Sequence, residues 1–441
     1  MKTLRRIIHL LWLTSVASTL TAAQPAAGVP PEPLKPMGRA RGIQPGRVVW
    51  VHNPQATDWK GPGGGHWWEP NHTRQEQVDR MMSDAVQAVT GESSVARAWD
   101  RLFQHQNAAL RQGNAGYRAG EKIAIKVNFV GFIVGARSVN PETYRIEKLP
   151  DYMNTSPQMV IALLRQLVQV VGVAEPDICV GDTLCFFPNE YYELIHREFP
   201  QVQYVDVAGK FGRRQAKPST TPIFWSSRPQ DCAPDFVPDW FAEAAYIINL
   251  ANLKAHTGTG VTLCAKNHFG SLIRTPVQKG YYNWHGVSFA TAEKAYRPLV
   301  DFMGHRQIGG KTVLCLIDGL YAGIHPKDKE PRRWNAPPFN GGWTNSLLAS
   351  QDPVAIDSVG FDFLYPEYAE ARKPGTDDFL HEAALADDPP SGTFYDPDHA
   401  ANRQRLASLG VHEHWNNAAE RKYSRNLGKA AGIELVPISQ K

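Results

Sequence analysis

Lys254 and His256 stand two residues apart at the end of the apolar run that begins Tyr246-Ile247-Ile248. On an extended chain this spacing aims both side chains the same way. An ammonium group beside an imidazole can hold an anion and move a proton near neutral pH. The next four residues, Thr257-Gly258-Thr259-Gly260, form a turn, and Lys266, Asn267 and His268 follow on an amphipathic segment expected to be helical. A strand, a glycine-rich turn and a helix in that order gather unpaired backbone N–H groups at one point, where an anion can be held. The expected roles are Lys254 and Lys266 for charge, the 257–260 amides for oxygens and His256 as general acid/base. Thr and Gly also make ordinary tight turns.

Other candidates sit at predicted strand ends. Asp182 and Asp318 each neighbour a glycine, and their carboxylates could orient His256 or bind a divalent cation through oxygen. Lys126 and Asn128 share one face of KIAIKVNFV. Asp352, before Pro353, reads as a helix cap, while Asp357 is a further oxygen donor. Cys264 and His268 are spaced for one helix face, but a packed thiol and a hydrogen-bonded imidazole explain them as well. His412-Glu413-His414 invites a metal reading, yet its polar surroundings favour surface residues. Trp67, Trp68, Trp334 and Trp343 lie among glycines, fit either to stack on sugar rings or to pin their loops. No G-x-S-x-G, H-E-x-x-H or Walker loop occurs.

Positioning these groups requires alternating strands and helices. Strands are expected at 47–52, 122–130, 177–180, 203–207, 246–250, 311–320 and 346–350. Helices are expected at 76–89 (with Thr73 and Glu76 as a capping box), 95–111, 158–171, 190–198 and 353–364, and near 399–409. Ser156-Pro157 is a helix start. The fold class is therefore α/β, with a mostly parallel or mixed sheet, helices on both faces and loop-rich insertions. Ligands of such sheets bind beyond the carboxyl ends of strands.

The segments IKVNF (125–129), VGDT (180–183), NLANLKAHTGTGVTLCAKNHFG (249–270), LIDG (316–319) and LLASQDPVAIDSVG (347–360) resemble domain of unknown function 362, a prokaryotic family. The resemblance covers about 47–364 and implies a fold rather than a reaction. Some relatives carry ferredoxin-like cluster modules, but this chain lacks the cysteine runs, so no iron–sulfur cluster is expected. The turn at 258–260 lacks the third glycine of a dinucleotide fingerprint, so no NAD is expected either.

Lys2, Arg5 and Arg6 ahead of an apolar run to Leu20, with small residues before Gln24, read as a signal peptide over 1–23. A flexible Pro/Ala/Gly-rich leader is expected over 24–46, the α/β domain over 47–364, and a loop-rich extension packed on it over 365–441. Export leaves a soluble periplasmic or secreted protein with no later membrane span. Removing the signal peptide's three cations leaves 44 basic against 43 acidic residues, which argues against a nucleic-acid partner. Of five cysteines, Cys179 and Cys315 lie in strand-like runs, and Cys232 is the best disulfide candidate. The expected function is an exported enzyme acting on a small anionic or carbohydrate-derived substrate, with hydrolysis, elimination and isomerisation all open and a divalent metal as an optional cofactor. The alternative is a non-catalytic extracytoplasmic anion- or sugar-binding protein.

Overall fold

The computed structural model describes residues 29–227, 232–275, 280–288, 292–399 and 403–440. The expected signal peptide lies outside them. At the centre is a ten-stranded sheet. Its strands are β1 (Arg47–His52), β2 (Ile123–Lys126), β3 (Ile178–Gly181), β4 (Gln203–Asp206), β5 (Arg214–Gln215), β6 (Tyr246–His256), β7 (Gly260–Thr262), β8 (Thr312–His325), β9 (Ser346–Ser350) and β10 (Glu434–Ser439). Across the sheet the order is β10-β1-β9-β8-β6-β2-β3-β4-β5, with β7 folded back antiparallel on β6. Along the main path only β9 runs against the rest, so the sheet is mixed and mostly parallel, as the βα alternation predicts.

Side-chain alternation explains why both faces are covered. Val49 and Val51, Ile123 and Ile125, and Leu314 and Leu316 enter one core with helices α1 (Gln75–Thr90), α2 (Val95–Ala109) and α3 (Pro157–Arg165). Val48 and Trp50, Cys315 and Ile317, and Leu348 enter the other with α4 (Pro353–Leu364) and α5 (Asp378–Ala384). Successive strand residues point to opposite faces, and a parallel sheet requires apolar cover on each. Ser156 caps α3 by accepting from Met159 N, with Pro157 at the first helical position, as expected.

Several local expectations give way. Thr73 does not cap α1: its hydroxyl donates to Trp67 O, and Arg74 occupies the cap position. No helix forms over the described residues 403–409, whereas α5 appears where none was expected. From residue 29 the leader is held in place, with Met37–Gly38 paired to Val411–His412 and Leu34 N donating to His414 O. The extension is part of the sheet, because β10 pairs in parallel with β1. Interactions across the fold recover what the polar, turn-rich composition of these segments conceals.

Asp352 ties leader, helix and extension together. One carboxylate oxygen accepts Val354 N (3.1 Å) and Ala355 N (2.9 Å), capping α4. The other accepts Arg41 N (2.8 Å) and Val411 N (3.1 Å). Asp352→Ala removes a cap and strands four amides, those of Val354, Ala355 and Val411 being buried, so urea denaturation should show a loss of about 3 kcal/mol or more. A loss below about 1 kcal/mol would refute this role.

Candidate functional site

The chain runs outward from β2 through β3, β4 and β5, then returns to lay β6 against the other side of β2 and continues outward to β8. The strand order reverses between β2 and β6. A crevice opens beyond the carboxyl ends of strands at such a point, and the polar residues converge there.

Lys126 and Lys254 are fully buried and Lys266 nearly so. Lys126 Nζ donates to Asp182 (2.9 Å) and to Val127 O (2.6 Å), forming an ion pair closed to solvent. Gly270 lies directly over this pair, and a Cβ there would stand 2.4 Å from Asp182 Oδ1. Lys254 Nζ donates to Asn128 Oδ1 (2.6 Å) and Met153 O (2.8 Å). Asn267 links the two lysine sites, accepting from Lys126 (3.3 Å) and Asn128 (3.1 Å) and donating to Asn249 (2.8 Å). Strand alternation thus delivers Lys126 and Asn128, and Lys254 and His256, to one place.

Above this floor is a cavity of about 450 Å³, lined by Asn128, Asp182, His256, Lys266 and Asn267 among the expected residues. His285, His325, Arg274, Thr262, Phe269 and Trp284 complete its chemically informative wall. The hydroxyl of Thr262 is buried with no hydrogen-bond partner among the described residues. A cavity of about 550 Å³ elsewhere is lined by Arg41, His105, His268 and two thiols, and lacks such a concentration of cations. His325 and His285 escaped the sequence reading. His325 lies on a part of β8 that continues past Leu320 after an irregularity in pairing, and His285 lies in the Tyr/Trp/Gly connection.

The expected amide cradle is not built. Chain 260–262 forms β7 rather than entering a helix, and the helical segment Cys264–Asn267 is only four residues long. Gly258 N (2.8 Å) and Thr259 N (3.1 Å) both donate to His256 Nδ1, and Thr257 N donates to His325 O (2.9 Å). At the helical segment, Cys264 N and Ala265 N donate to Asp357, each at 2.8 Å. The protein's own acceptors occupy the amides.

This arrangement alters the chemistry of His256. A nitrogen that accepts two N–H groups bears no proton, so the neutral ring carries it on Nε2. Burial, with Lys266, His325, His285 and Lys254 nearby, pushes its pKa well below the usual histidine value. His256 is therefore a neutral hydrogen-bond donor, and imidazolium formation would require a proton at the amide-clamped nitrogen. Nδ1 of His325 pairs with the Tyr152 hydroxyl, and burial first, then Lys254 and Lys266, brings its pKa to about 3.

Asp318 is kept out of the cavity lining. Its oxygens accept Ser156 N (2.7 Å) and Leu320 N (3.0 Å), fixing the start of α3. Asp182 and Asp318 do not gather as metal ligands. Among the described residues, the cluster of three ligand groups consists of Asp377, His381 and His412. Cys264 contacts Leu316 O and His268 bonds Asn249 and Ser271, which fits the packed reading of that pair. Trp67, Trp68, Trp334 and Trp343 are all buried and pin their loops: Trp343 Nε1 donates to Trp59 O and Trp67 Nε1 to Asp151 O. His412, Glu413 and His414 are buried, contrary to the expected surface position.

Comparison with protein families finds a match to the family described as "Domain of unknown function (DUF362)" over residues 123–362. That span is more than half of the chain and contains every residue lining the cavity. No curated protein matches the sequence.

Burial lowers Lys254 to about 7, and burial followed by Lys254 lowers Lys266 to about 7, both from 10.5. Above pH 7 the unfolded chain holds lysine protons that the folded chain has released, so this contribution to stability rises with pH. Below pH 7 both states are protonated and the burial penalty is full. Buried thiols such as Cys185, raised by burial, oppose the trend from about pH 8.5. Stability should therefore rise between about pH 7 and 8.5, and Lys266→Met should remove about half of that slope. Thermal unfolding of both proteins across this interval checks it, and equal slopes would contradict it.

Proposed function

The chain belongs to the DUF362 family, whose description names no reaction, and from the cavity's geometry we propose that it is an exported enzyme acting on a small carboxylate- or phosphate-bearing substrate. The carrying observation is the meeting of Lys266 and a tautomerically fixed His256 over one cavity beside a buried lysine pair of sites. Asp182 is paired with Lys126 and Arg274 with Asp235, so the lining's carboxylate is already matched, and Lys266 and His256 present N–H donors to an anionic substrate. The Thr262 hydroxyl offers a further contact. The basic and apolar character of residues 1–23 supports export.

In this reading Lys266 is the proton-transfer group. An amine with a pKa near 7 is substantially unprotonated at neutral pH and can remove a proton from carbon or water. His256 Nε2–H would stabilise the developing oxyanion, and its orientation is set in advance by the two loop amides. Lys254 does not line the cavity; held by Asn128 and Met153, it fixes the Asn128 side chain from below rather than transferring a proton. Proton abstraction beside a carboxylate, leading to elimination or isomerisation, uses all of these groups and no nucleophile. Deeply buried tryptophans give a sugar-stacking reading no support.

The test is NMR detection of carbon-bound hydrogen exchange in deuterium oxide, using hydroxy acids, dicarboxylates and phosphorylated small molecules. Wild-type exchange should fall about 10²–10⁴-fold in Lys266→Met. His256→Gln should retain ligand-induced thermal stabilisation while losing turnover. Exchange unchanged by Lys266→Met would remove the assigned base. Ligand stabilisation without any turnover would favour the non-catalytic binding protein instead.

A further inference from the structure

Outside the family span, the extension brings together a second group of side chains. Asp377 precedes α5 and His381 lies one turn along it, while His412 belongs to the two-residue strand paired with Met37–Gly38. Their ligand atoms all lie within 4.8 Å of one another. The rings of His381 and His412 are 4.8 Å apart between centroids. We propose that Asp377, His381 and His412 form a binding site for one first-row divalent transition metal ion, of the zinc or cobalt type.

Hydrogen bonding prepares His412 for this role. The Ser358 hydroxyl lies 2.8 Å from Val354 O and 2.8 Å from His412 Nδ1. A carbonyl only accepts, so serine's single proton goes to Val354 and His412 Nδ1–H donates to the serine oxygen. The lone pair of His412 is thereby placed on Nε2, the form in which imidazole binds metals.

Asp377 is prepared as well. His414 lies between Asp362 Oδ1 (2.6 Å) and Asp377 Oδ2 (3.2 Å). Asp362 is itself anchored by Trp415 N and the Tyr423 hydroxyl, both at 2.8 Å. This chain of contacts makes His414 a positioning residue for the ligating carboxylate.

Donor type selects the metal. Two imidazoles and one carboxylate suit zinc, cobalt or iron, whereas calcium and magnesium prefer oxygen throughout. Donors bound at about 2.0–2.2 Å stand roughly 3.4 Å apart, so the cluster must contract by about an ångström. His381, whose side chain is 31% exposed, is placed to make that movement, and the partial exposure of Asp377 gives an ion access. Binding would also steady the segment before α5. Lys373 Nζ donates to Thr257 O, and Thr376 packs against Gly260 in the hairpin that bears His256.

The experiment titrates Co²⁺ and Zn²⁺ into tag-free, chelator-treated full-length protein, following calorimetry and the visible cobalt spectrum. One ion per chain is expected, with an imidazole-bound cobalt spectrum and no competition from Mg²⁺ or Ca²⁺. His381→Ala should weaken binding more than about 100-fold and Ser358→Ala about 10-fold, whereas His399→Ala, on the exposed surface, should change nothing. Circular dichroism verifies folding, and Ser358→Ala keeps the test decisive should His381→Ala unfold. Failure of folded wild-type protein to bind either ion stoichiometrically would overturn the site, as would unchanged binding by the folded His381→Ala and Ser358→Ala variants.

Discussion

Three lysine side chains are buried around one crevice, and a single lining carboxylate, Asp182, lies among them. Removing a charge from water is costly unless it is paired or loses its charge. The fold uses both solutions. Lys126 takes the carboxylate, while Lys254 rests on neutral amide and carbonyl oxygens and is displaced toward the uncharged amine. Burial, and after it the neighbouring Lys254, displaces Lys266 in the same direction. The site's proton chemistry follows from this shortage of negative charge.

Asparagine supplies the supporting network. Asn128, Asn249 and Asn267 connect β2, β6 and the short helical segment through both amide ends, filling buried donors and acceptors without adding charge. A satisfied network of this kind specifies one arrangement of its elements. Replacing Asn128 or Asn267 with an acid would set a carboxylate against Lys254 or Lys126 and change the electrostatic character of the crevice. His268 joins the network through Asn249 and stays neutral, brought to about 3 by burial and then Lys126.

Two levels of organisation meet in the chain. The family span supplies the cavity and the strands that frame it, whereas the leader and extension supply β10, the Asp352 partners and the Asp377 cluster. They touch at the hairpin 256–260, where Lys373 and Thr376 contact the loop whose amides orient His256. The segments outside the common core therefore bear directly on a loop inside it.

Much of this was legible in the residues alone. Alternating apolar positions defined most strands, Ser156-Pro157 and Asp352-Pro353 marked helix starts, and the two-residue spacing of Lys254 and His256 placed both at a strand's end, because these patterns depend on local geometry. Residues 257–260 misled because local composition shows that amides are exposed by a turn, while only the folded chain shows that His256 and His325 accept them. Asp318 misled similarly, its carboxylate being claimed by Ser156, which is 162 residues away. The burial of His412 and its approach to Asp377 depend on pairing with the leader and packing against α5. Sequence alone determined which groups stood at which strand ends. Tertiary structure decided which of them kept a lone pair, a proton or a charge, because those properties depend on neighbours that the chain brings together only by folding.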